Sequence, residues 1–296
     1  MIVLLKAKLL RSVPEEHLKT DKSIKKMYFK DFLNNQSKTL IMGILNLTPD
    51  SFYDGNRYIK NNNLVNRFKD LEKVDIIDVG CETSKPGSLK IRELDELKRL
   101  KVIDKIPFLD NKFYSIDTYK PNIAKYALDN GFNMINDISG GEDLSLLNLA
   151  ADYDVPIILM HMQNKPHNMQ NKPKYSNIID ELSLFFDKRI NRAVKAGINE
   201  KQIIIDPGIG FGKTIRDNDE IIRNLSKIKI LGLPILIGLS RKSFLSFNHN
   251  EPTDRLASSI AFGSIAINNG ADIIRTHDIN KSIEVFSLID RLLRKN

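Results

Sequence analysis

From Thr39 onward the chain alternates two kinds of segment. Short apolar runs end in polar or glycine-bearing loops, and each is followed by a longer stretch with helical spacing. The runs are Leu40–Leu45, Val74–Val79, Phe113–Ile116, Asn133–Ile138, Pro156–Met160, Gln202–Ile205, Pro234–Ile237 and Asp272–Arg275. Near-continuous apolar runs bounded by turn residues are the pattern of strands covered on both faces. Between them, Leu64, Val65, Phe68 and Leu71 form one helical stripe, and Ile178, Ile179, Leu182, Leu184, Phe185 and Phe186 belong to another. Thr253-Asp254 reads as the start of a helix bearing Leu256, Ala257, Ile260 and Ala261. Eight strand–helix alternations without an internal linker predict an α/β fold, a single (β/α)8 TIM barrel over 39–296. A doubly wound open sheet is the alternative, but no GxGxxG follows the first strand. Residues 1–38 form a short N-terminal extension: Ile2–Leu10 suits an edge strand, Tyr28–Leu33 a short turn of helix, and together a cap over one barrel end.

Composition narrows this picture little. At 42% apolar, the 296 residues can bury a core, and the 28% charged residues are dispersed rather than blocked. The net charge of +8 reads chiefly as solvated surface. Without a basic cluster interleaved with aromatics, no nucleic-acid partner is expected. The single cysteine, Cys81, excludes an internal disulfide and a cysteine-rich metal site, which suits a reducing compartment. MIVLLKAKLL lacks the apolar core of a signal peptide, and no run approaches a membrane span. The expected location is cytoplasmic, with no membrane partner.

In such a barrel, chemistry gathers at the C-terminal strand ends. There stand Asn46 and Asp50; Glu82, Thr83, Ser84, Lys85 and Pro86; Asp117; Asn136 and Asp137; Met160 and His161; Asp206 before a GIGFG loop; Ser240, Arg241 and Lys242; and Arg275, His277 and Asp278. A single aspartate there is ordinarily a turn or cap residue. Polar groups on all eight ends are harder to assign to loop chemistry alone. Arg275 and His277, two apart on an extended segment, could with Lys85 hold a phosphate or diphosphate. Asp117, Asn136, Asp206 and Lys242 suit a heterocycle rich in N–H donors and acceptors, and a buried aspartate can stabilise a developing cation. Phe52 and Phe211 suit the flanks of an aromatic substrate, or simple packing. Asn46 and a diphosphate could share Mg²⁺. With no HExxH, P-loop or nucleophile–base chain, transfer of a group carrying its own leaving group is favoured over covalent catalysis.

At these residues the sequence resembles the dihydropteroate synthases, the folate-pathway branch of the pterin-binding barrels. The motifs are MGILNLTPDSFYDG at 42–55, DVGCETSKPGS at 78–88, SIDTYKP at 115–121, INDISGG at 135–141, ILMH at 158–161, DPGIGFGK at 206–213, GLSRKSF at 238–244 and RTHD at 275–278. The resemblance implies condensation of 6-hydroxymethyl-7,8-dihydropterin diphosphate with p-aminobenzoate, with Mg²⁺, by an SN1-like route. It implies that Asp117, Asn136, Met160, Asp206, Gly238 and Lys242 hold the pterin. Asn46, Lys85, Arg275 and His277 hold the diphosphate, with Asn46 on the metal. Phe52, Ser84, Pro86, Phe211, Lys242 and Ser243 line the p-aminobenzoate pocket. Asp117, Lys242, Arg275 and His277 carry the catalysis. It also implies a homodimer, a sulfonamide target and a mobile first loop.

The departures cluster in the second loop, where the family's GGESTRPG reads GCETSKPG. Lys85 keeps a charge but loses arginine's planar fork, and Ser84 loses a methyl. Weaker ordering of this loop and altered p-aminobenzoate or sulfonamide affinity are expected; Cys81 is expected simply to pack. The competing readings are a methyltetrahydrofolate-dependent methyltransferase and a non-catalytic pterin-binding paralogue. The first needs no diphosphate site; only the altered loop favours the second.

Overall fold

The computed structural model describes residues 28–47, 67, 69–83, 87–102, 108–109, 111–246, 251 and 255–293. The eight apolar runs are strands: β1 Leu40–Asn46, β2 Ile76–Gly80, β3 Phe113–Asp117, β4 Met134–Asp137, β5 Ile157–Met160, β6 Ile203–Asp206, β7 Leu236–Gly238 and β8 Ile273–Thr276. They form one sheet in the order β6-β5-β4-β3-β2-β1-β8-β7. All pairings are parallel, and a parallel bridge between Ile205 and Ile235 links β6 to β7, so the sheet curls into a barrel. The fold is the (β/α)8 barrel, not the open sheet.

Strand alternation divides the apolar residues into two cores. Outward-facing side chains such as Ile41, Ile77, Ile135, Ile157, Ile203 and Ile274 pack with the helices. Inward-facing Leu40, Met42, Ile76, Met134, Ile158, Ile204, Leu236 and Ile273 fill the barrel interior. Phe29 and Leu33, on the helix Phe29–Asn34, join that inner cluster beside Phe32 and Phe113. The expected turn of helix at Tyr28–Leu33 thus plugs the N-terminal barrel end. Phe29 N donates to Gln202 Oε1 at 2.9 Å, tying the plug to the residue just before β6. The edge strand expected at Ile2–Leu10 lies outside the described residues.

The helix Ile178–Lys195 buries Ile178, Ile179, Leu182 and Phe186, whereas Leu184 is exposed. Leu184 lies two residues from both Leu182 and Phe186, about 200° round the helix from each, so it faces away. Of the first stripe, Leu71 is buried, while Leu64, Val65 and Phe68 lie outside the described residues, as does the start at Thr253-Asp254. The last helix, Ile279–Leu293, closes the ring: buried Asp290 accepts from Thr39 N and Thr39 Oγ1, each at 2.7 Å. Among the described residues no helix is long and apolar enough to cross a membrane.

Candidate active site

One strand period above the apolar interior the lining changes character. Ile76 is followed inward by Asp78, Met134 by Asn136, Ile158 by Met160, Ile204 by Asp206, Leu236 by Gly238 and Ile273 by Arg275. The same alternation that builds the core therefore delivers a polar layer on top of it. Register sets neighbours within this layer: Asn46 pairs with Gly80, Gly80 with Asp117, Asp117 with Asn136, Met160 with Asp206 and Gly238 with Arg275. A side chain on Gly80 would come within 3.5 Å of both Asn46 Oδ1 and Asp117 Oδ2. Gly80 thus keeps open the space these two groups share. Gly238 does the same between Arg275 and Lys242, with Lys242 Nζ 4.0 Å from where its Cβ would stand.

Arg275 joins two groups that charge alone had separated. Its Nη2 donates to Asp117 Oδ2 at 2.8 Å, and its Nε to Asp78 Oδ2 at 2.7 Å. Asp78 Oδ2 also accepts from Asn136 Nδ2 at 3.1 Å. Burial raises the Asp117 carboxyl above the ordinary carboxylate range, and Arg275 draws it back. Burial raises Asp206 too, opposed by Lys242 and by the Gly208 N–H that donates to Asp206 Oδ1 at 2.7 Å. Burial lowers Lys242 to about 8, with Asp206 opposing. Lys242 Nζ donates to Ile209 O and lies 4.5 Å from the Phe211 ring centroid, a cation–π contact. Two buried carboxyls, an amide and an ammonium thus surround one small polar volume.

His277 stands at the rim, beyond the end of β8. Its N donates to Ser240 Oγ at 3.1 Å, and its O accepts from Arg67 Nη1 at 2.8 Å. Desolvation and the Arg275 and Arg67 guanidiniums hold its imidazole below the usual range, although the residue remains open to solvent. Arg67 also donates to Ile44 O, joining the ends of β1 and β8. Ser243 is exposed beside Lys242, on the short helix Ser243–Leu245. Phe52, Ser84, Lys85 and Pro86 lie outside the described residues. The structure therefore gathers Asn46, Asp117, Asn136, Met160, Asp206, Gly238, Lys242 and Arg275 in one layer, with Phe211, Ser243 and His277 at its rim.

Three supporting residues were not singled out from the sequence. Asp78 sits inside an apolar run, and only the inward phase of β2 reveals it. Lys213 looks like one more surface lysine, yet it is buried, donating to Gly208 O and Phe211 O, each at 3.0 Å, and meeting His161 Nδ1 at 2.9 Å. It pins the Asp206–Phe211 loop to the end of β5. Lys120 ties the base of the second loop: its Nζ donates to Glu82 Oε2 at 2.9 Å and Glu96 Oε2 at 2.5 Å. Cys81 is wholly buried, and burial pushes its thiol up, away from a reactive thiolate.

Known proteins resemble this chain in sequence and fold. A family model described as pterin binding enzyme matches residues 42–277. The dihydropteroate synthase of Escherichia coli is 36% identical over 260 residues, 86% of this chain and 91% of that one. The Yersinia pestis dihydropteroate synthase, solved with a sulfonamide drug complex, superposes with a TM-score of 0.79 at 35% identity, covering 86% of this chain and 94% of that one. The Xanthomonas albilineans enzyme, solved with 7,8-dihydropteroate, gives 0.74 at 31% identity, covering 86% and 94%. With a matching family model across most of the chain and relatives of this identity over nearly their full length, the chain belongs to the pterin-binding enzymes, in the dihydropteroate synthase family.

Proposed function

We propose that this protein joins 6-hydroxymethyl-7,8-dihydropterin diphosphate to p-aminobenzoate, releasing 7,8-dihydropteroate and diphosphate. The observation that carries the reading is the polar layer at the strand ends: buried Asn136 and Asp206 with half-buried Asp117 and Lys242 ring a volume that Gly80 and Gly238 keep open. Its three oxygen-bearing side chains match the N–H-rich edge of a pterin, and Lys242 supplies the one ammonium.

Bond breaking comes first. The methylene C–O bond cleaves, and its electron pair leaves on the diphosphate, which Arg275 and His277 receive; Lys85, outside the described residues, is assigned to the same anion by the resemblance alone. The cation left behind is delocalised into the pterin ring and opposed by Asp117 from a preorganised, low-dielectric position. Departure of the diphosphate draws Arg275 towards the new anion and releases Asp117 to act on the cation. The arylamine nitrogen of p-aminobenzoate then forms the C–N bond and passes a proton to the released diphosphate, with Phe211, Lys242 and Ser243 beside it; Phe52, Ser84 and Pro86, outside the described residues, are assigned to the same substrate by the resemblance alone. Exclusion of water from the site keeps the cation from being trapped before the arylamine arrives.

The donor set fits Mg²⁺ in one way. Among the described residues no group of three His, Cys, Asp or Glu side chains can hold a metal, whereas Asn46 offers one neutral oxygen beside Asp117. Such a set suits an ion that arrives with the diphosphate and keeps several waters, Asn46 being its protein ligand. When bound, Mg²⁺ would neutralise charge on the leaving diphosphate. EDTA is expected to abolish turnover and added Mg²⁺ to restore it; full activity after chelation would remove the metal from the reaction.

The family's homodimer is proposed for this chain as well, to be checked by light scattering. The function itself is tested by supplying both substrates with Mg²⁺ and separating the products. Formation of dihydropteroate supports the reading. Its absence in the presence of demonstrable pterin binding would favour the non-catalytic paralogue.

A further inference from the structure

Asp78 is wholly buried on β2, and the reaction as described above gives it no part. Its Oδ2 accepts from Arg275 Nε at 2.7 Å and Asn136 Nδ2 at 3.1 Å. Its Oδ1 is buried and has no hydrogen-bond partner among the described residues. A buried, incompletely satisfied carboxylate is costly, and interiors seldom retain one without a use. The use lies in what Asp78 imposes on its two neighbours.

A carboxamide has a donor end and an acceptor end of nearly equal shape. Opposite a carboxylate oxygen that already accepts from a guanidinium, Asn136 must present its nitrogen. Its Oδ1, to which no described residue donates, is then the end left to meet a ligand. Before the diphosphate departs Arg275 is held in the same way, its Nε on Asp78 and its Nη2 on Asp117. We propose that Asp78 is a positioning residue for ligand recognition: it locks the Asn136 amide with its oxygen available, and it sets the plane of the Arg275 guanidinium. The proposal rests on the pterin reading above and adds a specificity rule. With Asp117, Asn136 and Asp206 all presenting oxygens, the matched ligand edge carries N–H donors. An isosteric ligand with a ring acceptor opposite Asn136 would set lone pair against lone pair.

Single and combined variants test this. Binding of 6-hydroxymethylpterin is measured by calorimetry on the full chain, with thermal melts for each variant. Asp78→Asn is expected to weaken binding about tenfold, with less effect on the KM for p-aminobenzoate. Asn136→Asp keeps an acceptor for the ligand but sets two carboxylates against each other, and should weaken binding at least as much. Asn136→Ala removes the amide that Asp78 orients, so adding Asp78→Asn to it should cost less than about threefold more. Should Asp78→Asn fail to fold, Asn136→Asp still decides. Either Asp78→Asn or Asn136→Asp binding as the wild type does, or losses that multiply in the double variant, overturns the inference alone. A wild-type protein that does not bind the pterin overturns the functional reading and this inference with it.

Discussion

Burial raises the Asp117 carboxyl and lowers the Lys242 ammonium to about 8, so the two titrate towards each other. The sign of each effect on rate follows from the charge each must carry. Only ionised Asp117 opposes a developing cation, so activity falls as pH drops through its raised pKa, which lies above the ordinary carboxylate value of about 4. Lys242 loses its charge near pH 8, giving the alkaline limb. The profile of kcat/KM for the pterin diphosphate is therefore bell-shaped. Asp117→Asn removes the acid limb and lowers kcat by about 100-fold or more. Lys242→Arg carries the alkaline limb to higher pH. An Asp117→Asn variant with the wild-type profile would contradict the assignment. Cys81, buried with its thiol pushed up, should stay unmodified by iodoacetamide in the native protein and react once it is unfolded. Asp117, Asp206, Lys242 and Arg275 were legible in the sequence because each stands where an apolar run gives way to a loop. Asp78 was not, since it interrupts a run from within and a strand's inward phase cannot be read until the register is known. Nor was Lys213, whose burial depends on how two loops fold over it.

Elements were easier to read than residues, for a physical reason. Strands covered on both faces need unbroken apolar runs, and glycines and prolines end them, so all eight appear within about two residues of their places in the structure. Loop chemistry is less visible, because it depends on backbone that doubles back. Gly208 shows this: its φ is +68°, and a Cβ there would lie 1.9 Å from His161 O. No side chain fits, since the obstacle is backbone from β5 rather than a movable side chain. Gly208→Ala should destabilise the protein by roughly 2 kcal/mol or more in denaturant unfolding. It should also weaken pterin binding, because the Gly208 N–H anchors Asp206. An alanine variant of wild-type stability would show that the loop has another accessible conformation.

At the scale of the whole molecule the barrel separates stability from chemistry. The N-terminal end is closed by Phe29 and Leu33 and by the Thr39–Asp290 contact, while the polar layer stands at the opposite strand ends. Asp290→Ala removes the acceptor shared by two buried Thr39 donors and should cost about 2–3 kcal/mol, with kcat unchanged while the protein is folded. A fall in kcat at temperatures well below the melt would show that the two ends communicate. Sequence alone places the fold and the ring of strand-end groups, but the joining of both groups through Arg275 emerges only once eight strands curl together. The most direct test of the account follows diphosphate release from the pterin diphosphate with Mg²⁺, with and without p-aminobenzoate. The account predicts turnover that requires p-aminobenzoate, yields one dihydropteroate per diphosphate and is lost in Asp117→Ala. Release that is indifferent to p-aminobenzoate, or that survives Asp117→Ala, would contradict it.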